Sequence, residues 1–172
     1  MSPRAEFYIK GRAFRDKPYH LKGIGLPNVY LCNGVSIEKD ADYGKLITIE
    51  NIPGLCHAIG LHIVTKVNTM SGAELRFLRK QMKLTQEALA KRLRVNAQTV
   101  ANYEKGKTGM GAAEAAMRAL YTLHILPAEA DAGLIRAFID AIMVARPDAK
   151  LPEQSQRKIA GSWREAGQRK AA

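Results

Sequence analysis

Cysteine is almost missing from this chain: Cys32 and Cys56 are the only two in 172 residues, and they stand far apart. Their scarcity excludes a disulfide scaffold, which needs several cysteines in close register, and fits a reducing cytoplasm. No run of eighteen apolar residues occurs, so no membrane-spanning helix is expected. The start, Met1-Ser2-Pro3-Arg4, leads into polar sequence and lacks the apolar stretch of a signal peptide. Enzyme signatures are missing too. Gly23-Ile24-Gly25-Leu26 has no strand-to-helix context and reads as a turn, no hydrolase-like carboxylate pair stands out, and no third group activates a cysteine–histidine couple. Cys32, Cys56, His57 and His62 would make four zinc ligands by number, but zinc sites bring cysteines two to four residues apart. Neither a metal nor another cofactor is expected, and the chain reads as a binding protein.

Acidic residues are in short supply, 16 against 27 lysines and arginines, which gives a net charge of +11 and favours a polyanionic partner. The excess is uneven. Residues 69–126 hold 10 basic and 4 acidic side chains, whereas residues 1–68 hold 9 and 6, and residues 127–172 hold 8 and 6.

Within the most basic segment, the stretch from Leu84 to Gly106 spells two short helices joined by a tight turn. Apolar Leu89, Leu93, Val95, Val100 and Tyr103 fall at core spacing, with small Ala90 where the two helices must cross closely. Thr85 and Asn96 precede the two helical runs as N-caps. Gln98, Thr99 and Asn102 then lie on the open face of the second helix, and such side chains can reach base edges in a major groove.

On these residues, positions 71 to 126 resemble a helix-turn-helix domain of the Cro/repressor (XRE) family, about a third of the chain. The resemblance implies a structural ion pair between Arg79 and Glu104. It implies phosphate contacts from Gln86 and Lys105 with help from Thr99, and base contacts from Ala97, Gln98 and Asn102. Asn96 and Lys107 join the expected phosphate set, while Lys91 and Arg92 read as solvated charge. One departure stands out: the family places glycine in the turn where this chain has Arg94. A left-handed backbone there costs roughly 1 kcal/mol, and its basic side chain is placed for one more phosphate contact.

The rest of the sequence frames that motif. Val29–Cys32 and Val35–Glu38 flank Asn33-Gly34, the pair that most readily makes a type I′ hairpin turn. Residues 44–50 read as a third strand, Pro53 opens a helix running to about Lys66, and residues 1–20 supply another strand or an arm. A linker at Val67–Met70 separates this module from Ser71, the N-cap of helix 73–82 with Glu74 in the capping-box position. An alanine-rich helix, 112–124, ends before Pro127, and helix 129–145 carries the stripe Leu134, Ile135, Phe138, Ile139 and Ile142.

The expected fold class is therefore α+β: a small N-terminal antiparallel sheet with one helix (1–68), a helix-turn-helix domain (69–126), a C-terminal helix (127–146) and a basic, mobile tail (147–172). In the tail, Ile159–Trp163 alternatively docks as one amphipathic turn. Expected partners are double-stranded DNA with an inverted repeat and a second copy of the chain, joined through helix 129–145 or the N-terminal sheet. The layout is also similar to antitoxin regulators of the MqsA and HigA type, though it lacks the paired zinc cysteines of the former; that similarity implies a toxin protein as an alternative partner. A small molecule bound by residues 1–68 is the remaining rival.

Overall fold

The computed structural model describes residues 4–66, 68–126, 132–133, 135–136 and 163–166. The chain divides into two compact units, one formed by residues 1–59 with 160–172 and the other by residues 60–159.

In the first unit, alternation of apolar and polar residues sets the strands. Strand β1 (Ala5–Ile9) buries Ala5, Phe7 and Ile9 and turns Glu6 and Tyr8 outward, while β3 (Val29–Leu31) buries both of its ends. With the two-residue β2 (Tyr19–His20) and β6 (Trp163–Ala166) they form a sheet in the order β2-β3-β1-β6. Pairing is antiparallel for β2–β3 and β1–β6 but parallel for β1–β3, so the sheet is mixed, where a purely antiparallel one was expected. A separate two-stranded ribbon joins β4 (Val35–Asp40) to β5 (Gly44–Ile49).

The expected hairpin at Asn33-Gly34 does not form. Asn33 is buried, and its amide is committed to the end of β1: Oδ1 accepts from the Ile9 N–H at 2.7 Å, and Nδ2 donates to the carbonyls of Ile9 and Arg12 at 3.0 and 3.2 Å. Gly34 adopts φ +68° in a space where a Cβ would come within 2.8 Å of the Ile9 and Trp163 side chains. The pair thus carries the chain out of one sheet and into the other. The hairpin lies eight residues on, where Asp40 Oδ1 accepts from the Asp42 and Tyr43 N–H groups at 2.9 and 2.8 Å and Gly44 takes φ +72°.

Four residues of the expected mobile tail are a correction as well. Trp163–Ala166 pairs with β1 as an edge strand, and Trp163 is fully buried with its indole N–H donating to the Glu50 carbonyl at 2.9 Å. Burying a large aromatic ring with a satisfied N–H is ample reason for this segment to order.

Helix α1 (Ile52–Thr65) starts at Asn51, whose Oδ1 accepts from Gly54 N–H at 3.1 Å, and Pro53 sits in its first turn as expected. The division between units falls inside this helix, after Ile59, and not at the linker expected at Val67–Met70. Residues beyond it are tied to the second unit by the buried Arg118, which donates to the carbonyls of Ile63, Val64, Lys66 and Asn68 at 2.8–3.0 Å. These include carbonyls that the end of α1 leaves without helical partners. Gly60 allows Tyr121 to approach the helix backbone so closely that a Cβ would collide with its phenol.

The second unit continues with α2 (Gly72–Gln81), α3 (Gln86–Leu93), α4 (Ala97–Glu104) and α5 (Ala112–Ile125). Its core includes Leu75, Leu78, Leu89, Val100, Met117 and Tyr121. The expected helix 129–145, with Leu134, Phe138, Ile139 and Ile142 of its stripe, lies outside the described residues except at 132–133 and 135–136, which are helical. No helix among the described residues is long and apolar enough to cross a membrane.

Candidate nucleic-acid interface

Three capped helices build the site. Ser71 and Glu74 form a reciprocal capping box on α2. Thr85 Oγ1 accepts from Ala88 N–H at 3.0 Å at the head of α3, and Asn96 Oδ1 accepts from both the N–H and the hydroxyl of Thr99, at 2.7 and 2.8 Å, at the head of α4. Leu89, Ala90 and Val100 are buried where α3 crosses α4. Val95 and Tyr103, expected in that core, are only half-buried.

Glu104, at the end of α4, gathers these helices. Arg79 Nε donates to its Oε1 at 2.5 Å and a second guanidinium nitrogen reaches Oε2 at 3.2 Å, so the expected pair is present. The same arginine also donates to the Leu84 carbonyl at 2.8 Å, fixing the turn between α2 and α3. Two further donors were not foreseen: Arg76 Nε at 3.2 Å and Gln86 Nε2 at 2.9 Å, both on Oε2. Arg76 stands one turn before Arg79 on the same face of α2, a spacing that could have revealed it. Gln86, implied to contact phosphate, donates its side-chain amide to Glu104. Burial pushes the Glu104 carboxyl upward, but the hydrogen bonds from Arg79, Gln86 and Arg76 and the Arg79 charge outweigh it. The group therefore titrates below the ordinary glutamate value.

Held in this way, α4 presents an open face. Gln98 is exposed and its Nε2 donates to Asn102 Oδ1 at 3.1 Å, one turn along. Ala97 lies half-buried beside them at the helix start. Lys105 and Lys107 follow α4 and are exposed, as are Lys91, Arg92 and Arg94 on the preceding segment. Arg94 adopts φ 55°, ψ 42°, the left-handed conformation expected of the turn in spite of its side chain. The structure thus brings Ala97, Gln98 and Asn102 together on one helix, rimmed by cations.

A family model described as a helix-turn-helix domain matches residues 72–132, from the first residue of α2 to six residues beyond the expected limit. Those residues form a helix-turn-helix domain. Neither the curated proteins nor the solved structures yield a match, so the similarity of layout to antitoxins has no relative behind it. Outside the helix-turn-helix domain, Cys32 is buried with its thiol 3.6 Å from Glu6 Oε2. No three histidine, cysteine or acidic side chains among the described residues come together as a metal site would require.

Proposed function

We propose that this protein is a sequence-specific, DNA-binding regulator of transcription that inserts α4 into the major groove and acts in the cytoplasm as a homodimeric repressor, with no catalytic activity of its own. One observation carries the reading: Gln98 and Asn102 form a mutually oriented amide pair on the open face of a helix whose opposite face is locked by Val100 and Glu104. Amides of this kind supply donors and acceptors that match adenine and guanine edges, and the surrounding lysines and arginines supply the sequence-independent attraction. A single recognition helix spans too few base pairs for genomic specificity. Two copies on an inverted repeat, with half-site centres about 10 base pairs apart or a multiple of that, would supply the rest.

Selection of binding sites from random DNA with the full chain tests this directly. An inverted repeat is expected, and Gln98→Ala and Asn102→Ala should each lose about 1–3 kcal/mol on the selected site while binding to random DNA is unchanged. Equal losses on both kinds of DNA would overturn the base-reading assignment, and a selected site without two-fold symmetry would overturn the dimer.

A further inference from the structure

Helices α2, α3 and α4 all end in the same way. In each, a left-handed residue donates its N–H three residues back, and the residue after it donates five residues back: Lys83 to Lys80 and Leu84 to Arg79; Arg94 to Lys91 and Val95 to Ala90; Gly106 to Tyr103 and Lys107 to Asn102, at 3.0–3.4 Å. The left-handed residues have φ 56°, 55° and 68°. This closure ordinarily takes glycine, because a side chain in that conformation is strained. After α4 the chain obeys the rule with Gly106. At the two turns that lead into α3 and α4 it places a lysine and an arginine instead.

The two exceptions share a pattern eleven residues apart. Lys83-Leu84-Thr85 and Arg94-Val95-Asn96 each run left-handed cation, half-buried aliphatic, N-cap, and an eight-residue helix follows each. Each cation thus stands three residues ahead of the first residue of a helix, Gln86 in one case and Ala97 in the other. Both cations are exposed, and among the described residues neither is paired with a carboxylate. Among the described residues, then, no ion pair of either side chain offsets the backbone strain at its position. Strain kept without an internal partner points to a use outside the chain.

From this we infer that Lys83 and Arg94 are a matched pair of DNA-phosphate contacts, one at each turn flanking α3, held at a cost in stability for the charge they carry. The inference rests on the DNA-binding reading above, adds Lys83 to that site and joins it to Arg94 as one device. It also resolves why the turn departs from glycine: a glycine there would fold better and hold the backbone of DNA less well.

The test uses the full chain and its selected DNA site, with four variants. Lys83→Gly and Arg94→Gly relieve the strain and remove the charge; Arg94→Asn removes the charge while tolerating the conformation; Arg94→Lys retains both charge and strain. Each glycine variant should raise the thermal midpoint by about 2–4 °C. Each should also weaken binding about fivefold near physiological salt, on selected and random DNA alike, and lower the salt slope by about one. Arg94→Asn should share the binding loss, and Arg94→Lys should keep wild-type binding and slope. Stabilised glycine variants that bind as tightly as wild type, with an unchanged slope, would overturn the inference and leave the DNA-binding reading intact. Failure of the unaltered chain to bind DNA would overturn both.

Discussion

The two units reach order by opposite routes. In the helix-turn-helix domain the devices that shape α2, α3 and α4 are local: Ser71, Thr85 and Asn96 each cap three residues on, and each of these three helices closes on carbonyls three and five residues back. In the sheet unit the decisive interactions are remote. Asn33 bonds 24 residues back to Ile9, and Trp163 lies opposite Ile9 across a pairing of strands more than 150 residues apart. Local devices make an element whose form its own sequence dictates, whereas remote ones make an element whose form depends on what arrives from elsewhere.

The hardest blow to this contrast should fall on the remote side. Trp163→Ala removes a fully buried ring and its bond to Glu50, and is expected to cost about 3–5 kcal/mol in the sheet unit. Hydrogen exchange should show β1 and β3 losing protection while α3 and α4 keep theirs; equal loss in both units would break the comparison. Next in size is a long-range knot of the helical domain, the cluster at Glu104. Glu104→Gln leaves Arg79 facing an uncharged partner in a partly buried site and should cost about 3 kcal/mol in that unit. Because the folded carboxyl titrates below its ordinary value of 4.5, its stabilising contribution is present above that pH and is lost as the pH falls through the lower folded value. The variant should lack this acid-side decline, which denaturant titrations from neutral pH downward will read.

The smallest effects sharpen the contrast most, because they compare one residue type in two settings. Asn33→Ala leaves the buried Ile9 N–H without its acceptor and should cost about 2–3 kcal/mol. Asn96→Ala removes only a solvent-exposed cap and should cost about 1 kcal/mol. Equal costs, measured by chemical denaturation, would mean that the local and remote asparagines are equivalent after all.

The same distinction explains what the sequence disclosed. The N-caps Ser71, Thr85 and Asn96, the Arg79–Glu104 pair and the left-handed turn at Arg94 were legible, since each is written within a few residues or in the matched motif. Asn33-Gly34 misled because a dipeptide signal for a hairpin says nothing of the β1 terminus that claims the asparagine side chain. Trp163 was placed in a tail because polar, basic neighbours hide a single buried ring. The boundary inside α1 was illegible for a like reason: the tie that moves residues 60–68 into the second unit is Arg118, some fifty positions downstream. In the candidate site, the open face of α4 could be read from helical spacing, but the capture of Gln86 by Glu104 required three helices to be in place.

The pairing of β6 with β1 has a consequence in time. During synthesis residues 5–9 are made before the helix-turn-helix domain, yet the strand that covers their outer edge is made only after it. The domain with locally written helices can fold on the nascent chain, while the sheet waits with an unpaired edge of the kind that invites wrong partners. The sheet is therefore completed only after the domain that follows it in the chain, and a nascent chain stalled before Trp163 would present a finished helix-turn-helix domain attached to an unfinished sheet.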